Sequence, residues 1–191
     1  MSNSNQALAS GYGMGNPSIG TAWKYAVTAA IINIVGFMLF AFFSQSIVEQ
    51  HSQIKIVRGS FITTGNAEVA NFFGTLYYVM IALGIGAFIY ELWLGSFVSK
   101  RIQTTSVSVY EDKIKGVAVG RDFSIAKLIF FSMGWDKARL NNFDIALSQI
   151  TSIDLAYDNA ITINAPGASY KCFVSNGSEI QDVINNKIRN G

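Results

Sequence analysis

One cysteine and one histidine in 191 residues remove whole classes of chemistry. With Cys172 alone no internal disulfide can form and no cysteine cluster can hold a metal; with His51 alone a zinc site would have to be built mostly from carboxylates. Charge is scarce too. Only 14% of residues are charged, the formal net charge is +2, and Lys and Arg form no long run, so nucleic acid is not an expected partner. Half of the residues are hydrophobic and the mean hydropathy is positive, a balance typical of chains with a few membrane spans. The length allows one ordinary domain and something smaller.

Residues 1–21 contain no charged side chain and many Gly, Ser and Asn, and they read as a flexible N-terminal tail. Its "GYGMG" echoes a phosphate loop, but no hydrophobic strand precedes it and Pro17 follows it, so the dinucleotide reading fails on context. A secretory signal would need a basic start and a shorter apolar run.

Ala26 to Phe43 is free of charge, and with Trp23, Tyr25, Ser44 and Ile47 it is long enough for a hydrocarbon core of roughly 30 Å. A second apolar run, Phe72 to Val98, has Glu91 as its one charged side chain. The spacing predicts spans over about 23–47 and 72–98, a helical hairpin within 22–98 with Trp23, Tyr25 and Trp93 in the interfacial aromatic belt. Lys24, Lys100, Arg101, Lys113, Lys115 and Arg121 outweigh Lys55 and Arg58 of the connecting loop, so both termini are expected in the cytoplasm, with the chain multi-pass in the cell (inner) membrane. The loop sequence "IKIVRGSFITT" fits either a small hairpin around Arg58-Gly59 or an irregular loop.

From Ser106 the apolar period becomes two. "SVSVYEDKIKGVAVG" reads as strand, turn at Glu111-Asp112, strand. Further strands carry Phe143, Ile145 and Leu147; Ile150, Ile153 and Leu155; Ile161 and Ile163 after Asp158-Asn159; and Tyr170, Cys172 and Val174 after Pro166-Gly167. Ile180, Val183, Ile184 and Ile188 line one face of a C-terminal helix, with Ser178 and Gln181 at capping-box spacing.

"VSVYEDKIKG", "FDIALSQITSI" and "AITINAPGASYKCFVSNGSEIQDVINNKI" together resemble the bacterial pleckstrin-homology-like (PH-like) family over about residues 103–190. The resemblance lies in hydrophobic positions and turns, so it carries over no functional residue. It implies a curved antiparallel sheet plugged by one helix, in a non-enzymatic module without a cofactor that binds partners or lies against a membrane. The expected fold is therefore an α+β membrane protein: a two-helix transmembrane hairpin followed by an antiparallel β PH-like domain, 103–191, with one C-terminal α-helix, joined by a short link from Ser99 to Thr105. Glu111 and Asp112 beside Lys113 and Lys115 nearly cancel in the first hairpin, which argues against specific phosphoinositide binding.

Three groups of residues are candidates for function. Glu91 either pairs with Lys24 across the hairpin or, as the preferred reading, reaches for the headgroups alone. Asn33, Gly84 and Gly86 suit contacts between helices or between copies. Within "SIAKLIFFSMGWDK" and just beyond, Lys127, Phe130, Phe131, Met133, Trp135, Lys137 and Arg139 belong either to an extended hairpin covered on both faces, narrowly preferred, or to an insertion that dips into the bilayer or a partner. No catalytic constellation accompanies Asp154, Asp158 or any Ser or Cys, and "NGS" at Asn176 reads as a turn. Three functions compete: a scaffold or regulatory module held at the cytoplasmic membrane face, with the bilayer and another membrane protein or itself as partners; a small accessory subunit of a transport or channel complex whose helices do the work; and lipid sensing by the domain alone.

Overall fold

A computed structural model describes residues 6–52, 54–57, 60–63 and 65–190. The chain is α+β, with two long apolar helices, a curled antiparallel sheet and a C-terminal helix. It divides into two compact units, one made of the chain up to Ala26 together with Leu94 onward, the other of Val27–Trp93.

The second unit is the simpler. It holds most of α1 (Ser18–His51) and α2 (Ala67–Thr104), with the strands β2 (Ile54–Val57) and β3 (Ser60–Thr63) between them. These strands pair antiparallel, so the hairpin alternative holds for the connecting loop, while Arg58 and Gly59 lie outside the described residues. Asn66 starts α2 by accepting the Glu68 and Val69 N–H groups on Oδ1 at 2.9 and 3.3 Å, the N-cap role that Asn favours. Both helices outrun the expected spans at both ends.

The first unit corrects the expectation of a flexible tail. Residues Ala9–Tyr12 form a strand, β1, paired antiparallel with β4 (Ser106–Val109) from Ala9 opposite Val109 to Tyr12 opposite Ser106. Uncharged, Gly-rich sequence cannot fold alone, but it can complete the open edge of a sheet that already exists. Gly11 and Gly13 allow the close approach: a Cβ on Gly13 would run into the Ile102 carbonyl oxygen, and one on Gly11 into Ile180.

β5 (Lys113–Gly120) organises the remainder. Over residues 114–117 it pairs with β4 on one edge and with β6 (Asn141–Ala146) on the other. Where β4 gives out, Val119 and Gly120 pair instead with β9 (Ala168–Phe173), which continues through β8 (Ala160–Ala165) to β7 (Ser152–Leu155). That change of partner along one strand curls the sheet. Thr105 sits at the handover, fully buried, with Oγ1 accepting the Phe173 N–H at 3.0 Å and lying 2.7 Å from the carbonyls of Phe173 and Ile102. The expected link from Ser99 to Thr105 is therefore corrected, because α2 runs unbroken to Thr104 and β4 starts at Ser106.

The sheet core gathers Val107, Val109, Ile114, Phe143, Ile161 and Ile163 with Cys172. α4 (Gly177–Asn190) adds Ile180 and Ile184, and it lies across β1, β4, β7 and β8. Ile188, expected on the same face, is exposed one turn beyond. The cap differs as well. Asn176, not Ser178, precedes the helix and donates from Nδ2 to Glu179 Oε2 and to the Ser10 carbonyl, while Gln181 donates to the Ile153 carbonyl. Burial pushes the Cys172 thiol well above its ordinary range. We therefore expect maleimide at mildly alkaline pH to leave Cys172 unmodified in the folded chain and to label it on unfolding; rapid labelling of the native protein would contradict the packing.

Candidate functional site

Two places bring candidate residues together, one in each unit. In the sheet unit, β5 ends at Gly120 and β6 begins at Asn141, with the segment singled out in the sequence between them. It is not an extended hairpin. Ser124 caps a short helix, α3 (Ile125–Phe131), accepting the Lys127 N–H at 3.4 Å, and Ser132 ends it in the left-handed conformation while its own N–H bonds the Lys127 carbonyl. Gly134, also at positive φ, turns the chain so that the Lys137 carbonyl accepts from Gly120 N–H.

The apolar excess that made this segment ambiguous divides between two faces. Leu128 and Ile129 are buried, and Phe123 just before the helix packs edge-on against Phe173. Phe131 and Met133 are 68% and 62% exposed, with Phe130 and Trp135 about two-fifths exposed. Lys127, Lys137 and Arg139 are exposed in the same segment. The Phe130 ring lies 5.5 Å from Tyr25 in the first turns of α1, and Trp135 lies 5.2 Å from Phe97 near the end of α2. Arg101 stacks its guanidinium 4.7 Å above Phe97, a cation–π contact. Lys137 pairs with Asp136 at 3.0 Å, and each holds the other's charged form, the lysine pKa raised and the aspartate pKa lowered.

Next to α3 a shallow cavity of about 260 Å³ is lined by Tyr25, Phe123, Ser124, Asp158, Lys171 and other residues. Its polar groups are committed to internal bonds: Asp158 accepts from Ser18 Oγ at 2.6 Å and from Ala160 N–H at 3.3 Å, and Lys171 donates to the Phe123 carbonyl at 3.4 Å. No group of three or more His, Cys, Asp or Glu among the described residues is placed to hold a metal.

Sequence reasoning missed Asn16, the residue that fastens this unit together. It is buried, with Nδ2 donating to the carbonyls of Val174 at 2.8 Å and Asp158 at 3.0 Å, and Oδ1 accepting the Ser18 N–H at 2.8 Å. The available signal was Asn16-Pro17, an N-cap residue followed by proline at the first helical position.

In the helix unit Asn33 donates to Glu91 Oε1 at 3.2 Å, and Glu91 is buried with Oε2 unpartnered. The bond the structure defines for this carboxylate is thus to Asn33. The two glycines separate. Gly84 is buried, and a Cβ there would come within 3.0 Å of Phe37, whereas Gly86 faces open space. Replacing Asn33 with Leu is expected to weaken helix pairing by about 1–2 kcal/mol, while Glu91→Gln, which keeps an acceptor for Asn33, changes it little. Unfolding titrations in mixed micelles measure both, and an unaffected Asn33→Leu variant would remove the pair's role. No family model, no curated protein and no solved structure matches this chain.

Proposed function

We propose that the chain is a non-enzymatic membrane protein that presents a PH-like β domain at the cytoplasmic face of the cell membrane, as a scaffold or regulatory platform for another membrane protein. The observation that carries the reading is that the sheet unit includes the first turns of α1 and the last turns of α2, with no free linker between helix and strand.

The helices have the length and composition of spans. At about 1.5 Å per residue each exceeds a hydrocarbon core of roughly 30 Å, and only 22% and 6% of their apolar windows are buried. Ile32, Leu39, Phe40, Phe43 and Ile89 are among the large exposed side chains, an apolar surface that lipid suits and water does not. A curled antiparallel sheet closed by a C-terminal helix supports the PH-like reading, with α3 inserted between β5 and β6.

Alkaline carbonate extraction tests the anchor, because release of the chain from membranes would sink it. Copurification from native membranes in mild detergent tests the platform, with a partner protein expected to accompany the chain in defined proportion. Glu91, buried with a vacant oxygen in the helix unit, favours a second reading, an accessory subunit of a transport or channel complex. A stable transport complex would support that reading, and a lone homo-oligomer would count against it.

A further inference from the structure

We propose that the knuckle formed by α3 and the turn after it is a third membrane contact, a wedge seated in the interfacial layer of an anionic bilayer. The inference rests on the reading of α1 and α2 as spans. Depth comes first. Tyr25 and Phe97 lie in the end turns of those spans, so Phe130 and Trp135, in ring contact with them at 5.5 and 5.2 Å, stand at headgroup level. The apolar tip comes second. Leu128 and Ile129 already fill the buried side, and Phe131 and Met133 point their bulk outward, the side-chain type that enters the boundary between headgroups and acyl chains. Charge comes third. Lys127 and Arg139 are exposed in the segment, and Arg101 carries its charge above Phe97, so the cations lie where lipid phosphates would be. A partner protein binding this surface would have to reach it at the headgroup level, which the bilayer itself occupies.

The test uses the full chain reconstituted in phosphatidylcholine vesicles with and without phosphatidylglycerol. One variant carries Phe131→Trp with Trp23, Trp93 and Trp135 changed to Phe; a second keeps Trp23 as its single tryptophan. Resistance of Cys172 to maleimide confirms folding in each. The expected result is blue-shifted emission from position 131 that loses most of its intensity to lipids brominated near the top of the acyl chain and little to aqueous iodide. Lys127→Glu with Arg139→Glu should remove the excess quenching seen in anionic over neutral vesicles. Iodide quenching at 131 while Trp23 reports lipid overturns the wedge alone; both positions reporting water overturns the spans beneath it. Shielding of 131 from lipid and iodide alike means that a second copy covers it and overturns the bilayer as occupant, and equal quenching in neutral and anionic vesicles overturns the charge requirement.

Discussion

A fragment beginning at residue 103 is expected not to fold. It lacks β1, so β4 loses the four-residue partner on its edge, the Gly13 N–H bond to the Thr105 carbonyl disappears, and Ile180 of α4 loses the backbone of Gly11 against which it packs. It also lacks Leu94, Val98 and Ile102, all fully buried in the intact unit. At roughly 1.5–3 kcal/mol for each large aliphatic side chain, those three alone amount to much of the 5–15 kcal/mol by which a whole domain is stable. Circular dichroism and dispersion of amide signals check the outcome. A chimera joining residues 6–26 to 94–191 through a flexible linker in mild detergent should recover cooperative unfolding, and a well-folded 103–191 fragment would overturn the account.

Asn16→Ala is expected to cost roughly 3–5 kcal/mol, because it leaves the Val174 and Asp158 carbonyls without donors and removes the cap of α1. Asn16→Asp separates these contributions. The aspartate keeps an acceptor for the Ser18 N–H, but it offers no donor and sets a negative charge against two carbonyl oxygens, so it should rescue little. Denaturant titration followed by Cys172 labelling measures both variants. If Asn16→Asp were as stable as the parent, the cap alone would matter and the bonds to the Val174 and Asp158 carbonyls would not.

What the sequence determined by itself was whatever short-range pattern encodes. The apolar runs marked both helices because hydrophobicity sustained over 18 residues or more needs no tertiary partner to be recognised. Period two and the turns at Asp158-Asn159 and Pro166-Gly167 marked the strands, and the spacing of Ile180 and Ile184 marked α4; all of these are local rules. Tertiary structure alone decided the rest. β1 is a strand only because β4 offers it unpaired N–H and C=O groups; in isolation "ASGY" has too little side chain to hold one. Asn16 matters through atoms 142 and 158 residues away, and Asn33 meets Glu91 across 58, separations that no local pattern records. The segment 124–137 was ambiguous for a physical reason. Its apolar side chains divide between a buried face at Leu128 and Ile129 and an exposed one at Phe131 and Met133, so no single period describes it, and only the packing beneath α3 tells the two faces apart.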